Sequence, residues 1–127
     1  GQTEVGLMDE IAYDDTYMGT ADHVEEGERL ARVVGGKQVL FMKNHGVLVT
    51  GDTVAQAYRR LYKLERVCRA QVLAMSTGKP LEVLSDDIVA QVQAPAVNDR
   101  HSSAERDRLF FEAMMRILDR EMPGYAE

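Results

Sequence analysis

Apolar positions along the chain fall into short unbroken runs and longer periodic stripes. Residues 38–42 (QVLFM) and 47–50 (VLVT) are short, β-branched or otherwise apolar runs, and they predict two strands of a buried sheet. From residue 53 to 75 the spacing changes: Val54, Ala57, Tyr58, Leu61, Leu64, Cys68, Val72 and Met75 recur at three- and four-residue steps, the stripe of a long amphipathic helix. Thr53 and Gln56 have the spacing of a capping box at its start, and Gly78, Lys79 and Pro80 stop it. Upstream, residues 10–13 suit a short extended segment, followed by Asp14, Asp15 and Gly19 as turn formers. Asp22, with Glu25 three residues on, is expected to cap a helix carrying Leu30, Val33 and Val34 and ending at Gly35-Gly36. Downstream, Ser85 with Asp86 and Asp87 opens a helix carrying Ile88, Val89 and Val92, broken near Pro95. Ser102 and Glu105 repeat the capping spacing before a last amphipathic helix through Leu109, Phe110, Ala113, Met114, Ile117 and Leu118, which stops before Pro123-Gly124. Nothing repeats internally.

Composition narrows the classes. A chain of 127 residues, 45% hydrophobic with 3 Pro, suits one compact domain or part of one. Its 15 Lys and Arg against 21 Asp and Glu give a net charge of -6, which repels phosphate backbones and anionic membranes, so neither nucleic acid nor membrane is expected as a partner. No apolar run approaches the roughly 18 residues needed to span a bilayer. The single Cys68 cannot form an internal disulfide, which fits a cytoplasmic setting. Residues 1–8 show no clear period, so the chain is expected to open in the middle of a domain.

The candidate chemistry lies between the two predicted strands, where Lys43-Asn44-His45-Gly46 is too short for a loop with its own core. The local sequence favours a turn histidine that hydrogen-bonds nearby. The sharper alternative is a metal ligand, because rigid strands hold an imidazole well and neutral imidazole binds Zn²⁺ at about 2.0–2.1 Å. One histidine makes no metal site, however. A catalytic Zn²⁺ generally needs three protein ligands, and His23, His45 and His101 have no paired spacing. His23 reads as a surface residue of a first helical turn, and His101 as a solvated or capping-region side chain. Tyr58 with Tyr62, and Met114 with Met115, read as helix packing.

The residues EGERL (26–30), VLFMKNHGVLVTG (39–51), AQAY (55–58), LERVCRAQ (64–71) and the closing FEAMMRILDREMPGY (111–125) together resemble the class II aldolase/adducin family, and the adducin-like bacterial members in particular. The resemblance covers about residues 11–125. It implies an α/β fold, three-layer α/β/α around a mixed, largely antiparallel sheet, with only the C-terminal half present: residues 1–127 as the C-terminal part of a single domain. Family domains assemble as ring-like homotetramers with sites at subunit boundaries.

On this resemblance His45 falls on the family's third metal-binding histidine. The other two, as an H-x-H pair, and the catalytic Glu belong to the preceding half of the domain, so no catalytic residue is carried over here. The implied cofactor is Zn²⁺ or another divalent metal, held only in the complete domain, which polarises a carbonyl or enediolate oxygen as a C–C bond breaks. Asn44 is read first as a turn former, with a hydrogen bond that orients the imidazole as the second reading. Tyr13 and Tyr17 lie in a segment that in the family approaches a neighbouring subunit's site, though packing is the simpler role. The implied function is a metal-dependent lyase acting on a small hydroxylated carbonyl compound or hydroxy acid, with its own N-terminal half and further copies of the chain as partners. The alternative is a non-catalytic adducin-like scaffold.

Overall fold

The computed structural model describes residues 5–19, 23–94 and 102–125. A 3₁₀ turn, Met8–Glu10, leads into strand β1 (Ile11–Asp14), helix α1 (Val24–Val34), strand β2 (Val39–Met42), strand β3 (Gly46–Val49), and then helices α2 (Val54–Met75), α3 (Asp86–Gln93) and α4 (Ser103–Glu121). The sheet order is β1-β2-β3. β1 pairs parallel with β2, in the register Ile11 to Val39 and Asp14 to Met42, and α1 is the crossover that a parallel pair requires. β2 pairs antiparallel with β3, from Val39 opposite Val49 to Met42 opposite Gly46, so the sheet is mixed.

Side chains alternate across the strands, and the two faces receive different helices. Val39, with Ile11, Phe41 and Val49 around it, packs against Leu64, Val67 and Cys68 of α2, and Leu7 completes that cluster. The opposite face carries Leu40 and Asp14 towards α1, which contacts both β1 and β2. The architecture is therefore three-layered, helix on sheet on helix. Val39 and Leu40 are both fully buried because β2 alone has a strand on each edge and a helix on each face.

The sequence pattern located each described strand and α-helix within a few residues, whereas the 3₁₀ turn Met8–Glu10 was not expected. Gln38 and Thr50, expected inside strands, lie just beyond them yet extend the ladder: Gln38 N–H donates to the Glu10 carbonyl at 3.0 Å and Thr50 N–H to the Gln38 carbonyl at 2.9 Å. At the start of α2, Thr53 Oγ1 accepts from Gln56 N–H at 3.2 Å as a capping box requires, but Gln56 Oε1 accepts from Asp52 N–H rather than from the cap residue. Ser102 Oγ caps α4 by accepting from Glu105 N–H at 3.2 Å. For α1 the expected cap, Asp22, lies outside the described residues; His23 sits at the cap position and makes no side-chain cap bond. Pro95 and His101 also lie outside them.

The apolar stripe of α2 differs from expectation at its ends. Leu64 is buried, but Val54, Val72 and Met75 are exposed. The reason is length: 22 helical residues extend about 33 Å, whereas a four-residue strand extends only about 13 Å, so the helix overhangs the sheet at both ends. On its outer side α2 packs against α4. Tyr58 meets Phe111 edge-on at 5.4 Å, Tyr62 lies 4.9 Å from Phe110, and Arg59 pairs with Asp107 at 2.7 Å. These contacts match the packing role expected of the two tyrosines.

Gly51 joins β3 to α2 where there is no room for a side chain. A Cβ there would stand 2.8 Å from the Ala57 backbone nitrogen. Gly51→Ala is expected to lower stability by about 1–3 kcal/mol through overpacking, and Leu64→Ala by about 2–4 kcal/mol through the cavity it leaves. Urea unfolding followed by circular dichroism measures both, and a Gly51→Ala midpoint equal to the parent's would contradict the steric reading.

Candidate functional site

The β2–β3 hairpin turns on three residues. His45 N–H donates to the Met42 carbonyl at 3.1 Å, Asn44 takes φ +56° and Gly46 φ +148°. A positive φ at the third turn position favours Gly or Asn, because most side chains clash there while the short polar amide of Asn tolerates it. Gly46 then re-enters the sheet in a conformation that suits glycine alone. Those two residues account locally for the Asn-His-Gly order: they turn the chain within one ladder step, leaving His45 solvent-exposed at the hairpin tip.

His45 borders two recesses. On the α2 side a cleft of about 440 Å³ is walled by Phe41, Val47, Leu61, Leu64, Glu65 and Cys68. On the α1 side a narrow depression brings His45 beside Asp14, Tyr17, Glu26 and Lys43.

Beneath that depression lies an ion cluster. Arg29 donates through Nη1 and Nη2 to the two oxygens of Asp14, at 2.8 and 2.5 Å, and through Nε and Nη2 to Glu26, at 2.7 and 2.8 Å. Asp14 also accepts from Thr16 N–H at 3.2 Å; it ends β1, its carboxylate is buried, and the chain runs on through residues 15–18 without the turn expected there, bending only at Gly19. The hydrogen bonds from Arg29 hold both carboxyls below their ordinary range; burial opposes this, and for Glu26 the His45 charge adds slightly to the lowering. The same bonds raise the Arg29 pKa. The Asp14 carbonyl in turn accepts from Lys43 N–H at 2.9 Å, which links the cluster to the first residue of the hairpin turn.

This geometry bears on metal binding. The two carboxylates next to His45 are already committed to a guanidinium, and among the described residues no group of three or more His, Cys, Asp and Glu side chains is arranged to hold a metal ion. The described residues thus offer one imidazole and do not fit a metal by themselves. Tyr13 lies elsewhere. It pairs across the ladder with Phe41, its ring stacks on Phe41 at 5.6 Å, and it is 66% exposed on the sheet face towards α2. Phe41 connects it to the cleft that His45 borders. The Arg29 cluster escaped sequence reasoning. The i, i+3 spacing of Glu26 and Arg29 signals a helix pair, but only the fold brings Asp14 to it. Glu65 was likewise invisible, because its place on the cleft wall depends on how α2 is rolled against the sheet.

Comparison with known proteins agrees with this architecture. The family described as Class II Aldolase and Adducin N-terminal domain matches residues 1–72. A protein of Caulobacter vibrioides that carries a class 2 aldolase name is 33% identical over 121 residues, covering 95% of this chain and 46% of its own length. Gamma-adducin of Rattus norvegicus is 30% identical over 125 residues, covering 89% of this chain and 18% of its own. Among solved structures, an aldolase II superfamily protein from Pseudomonas syringae superposes with a TM-score of 0.83 at 29% identity, over all of this chain and 50% of its own. L-Fuculose 1-phosphate aldolase from Glaciozyma antarctica PI12 superposes with a TM-score of 0.66 at 18% identity, a likeness of fold alone. The chain spans about half the length of the bacterial relatives it matches, 46% and 49%.

Two predictions follow from the hairpin and the cluster. Asn44→Gly is expected to leave stability nearly unchanged, whereas Asn44→Val loses about 1–3 kcal/mol to the strained backbone; equal unfolding midpoints for the two variants would contradict the turn assignment. Arg29→Met leaves the buried Asp14 carboxylate without its counter-charge, so it is less stable than the parent at neutral pH. Carboxyls held low in the folded state stabilise it fully above their unfolded values near pH 4, and that contribution fades as pH falls through the folded values. The gap in melting temperature between the two proteins should therefore narrow below about pH 4. A gap independent of pH would show that Arg29 acts by packing alone.

Proposed function

The chain belongs to the class II aldolase and adducin family, and from that membership we propose that it is part of a divalent-metal-dependent, aldolase-type lyase acting on a small hydroxylated carbonyl compound or hydroxy acid. The observation that carries the reading is His45, an imidazole exposed at the tip of a stiff hairpin, beside a cleft, within the segment that the family matches. In this reading His45 is one ligand of Zn²⁺ or another divalent ion, and the remaining donors come from outside the described residues. Residues 1–127 then act as the C-terminal part of a single domain, partnered by its own N-terminal half and assembled as a cytoplasmic homotetramer. The 46–50% coverage of the bacterial relatives and of the Pseudomonas syringae structure supports a domain of two such halves. Asn44, besides holding the turn, orients the imidazole, and Tyr13 borders the substrate.

A second reading has its own support. Gamma-adducin matches 89% of the chain at 30% identity, which favours a non-catalytic, self-associating scaffold on the same fold. No described helix is long and apolar enough to cross a membrane, and this holds under either reading.

Metal analysis of the protein with its complete flanking sequence separates the two. The lyase reading expects close to one bound divalent ion per chain and, in His45→Ala, affinity lower by at least about tenfold, with the oligomer and unfolding midpoint preserved. Unchanged metal content in His45→Ala removes the ligand assignment. A metal-free parent that still forms a stable oligomer favours the scaffold.

A further inference from the structure

A further recess lies between the first half of α2 and the start of α4, with a volume of about 730 Å³, inside the range of small-ligand sites. Its charged lining is Arg59, Arg60, Lys63 and Arg106 against the carboxylates Glu10 and Asp107. In a chain of net charge -6 this is a local reversal of sign, built by helical spacing that sets residues 59, 60 and 63 on one side of α2.

The cations are not equivalent. Arg59 is anchored by Asp107 at 2.7 Å, and Arg60 by Glu10 at 2.7 Å and by the Thr50 carbonyl. Both guanidinium groups are therefore fixed in place, which is the preorganisation an oxyanion site needs. Lys63, between them along the groove wall, makes no hydrogen bond or ion pair with the described residues. Partial desolvation, and after it the neighbouring Arg59 charge, lower its pKa. Asp107 and Glu10 offset this only in part, since each is already hydrogen-bonded to an arginine.

We propose that this groove binds a small dianionic oxyanion of the phosphate monoester class, with Lys63 as its principal charged contact and Arg59 and Arg60 as its fixed walls. A dianion supplies the counter-charge that the groove lacks, and its several oxygens match the clustered N–H donors. Two helical steps separate Lys63 from Glu65, about 200° around the axis, so the groove and the cleft bordered by His45 open on different sides of α2. Both can be filled at once. The inference rests on the charges and the groove, and it does not depend on whether His45 holds a metal.

Inorganic phosphate is the probe. Titrated into the 127-residue protein at constant ionic strength and followed by amide chemical shifts, it should saturate with shifts concentrated at residues 59–63 and 106–107, while chloride and acetate give none. Lys63→Met should weaken binding by at least about fivefold, and Lys63→Arg should keep it within about twofold, since an ordinary charge-assisted bond is worth that much or more. Both variants should melt with the parent, since Lys63 is solvent-exposed and makes no hydrogen bond or ion pair with the described residues. Shifts that never saturate, equal affinity in Lys63→Met, or shifts centred elsewhere overturn the proposal. So does loss of phosphate binding in a longer chain that includes the flanking sequence, which would assign the groove to packing.

Discussion

The burial of β2 is the constraint on which the rest of the structure depends. Val39 and Leu40 lose all solvent contact because consecutive residues of that strand point to opposite helix layers, one towards Leu64 of α2 and the other towards α1. A sheet of three four-residue strands has little other apolar area to remove from water, so removing these side chains is what ties the two helix layers to one frame. Every other functional feature is positioned relative to this strand. The hairpin that presents His45 is its direct continuation, and the Asp14 end of β1 is registered to it by the parallel ladder.

Polar anchoring then decides how stiffly the hairpin tip is held. Arg29 uses four hydrogen bonds to join Asp14 at the end of β1 to Glu26 in the first turn of α1, and the Asp14 carbonyl accepts from the first turn residue, Lys43. A guanidinium suits this task because its planar fork can satisfy two carboxylates at once, whereas an ammonium would be a single point charge. The same arrangement removes both carboxylates from competition for a cation. Among the described residues His45 therefore has no carboxylate neighbours free to join it around a cation.

A similar division governs α2. Its central turns are fixed by the sheet on one side and by α4 on the other, through Leu64 and through the Tyr58, Tyr62, Phe110 and Phe111 rings. Its ends overhang a sheet less than half its length, and Val54 and Met75 remain in solvent. Between these regimes the helix offers different chemistry on different sides: Glu65 and Cys68 border the cleft of His45, while Arg59, Arg60 and Lys63 line the cationic groove. One element thus carries packing, a cleft wall and a charged wall, set apart by its 100° step per residue.

The order and type of the described elements were legible from the chain because they depend on local period. The short apolar runs at 38–42 and 47–50, the three- and four-residue stripe from Ala57 to Cys68, and the caps at Thr53 and Ser102 are properties of neighbours in sequence. The same holds for the turn, since Asn44 and Gly46 are the residue types that tolerate positive φ. Asn-His-Gly therefore pointed to His45 before any fold was known. What only the tertiary structure decided is which distant groups meet: Asp14 with Arg29, Arg59 with Asp107, Arg60 with Glu10, and Glu65 with the cleft of His45. The physical reason is that a charge carries no period. Its partner is set by strand register and by the roll of a helix on the sheet, which emerge only when the apolar faces have been buried together.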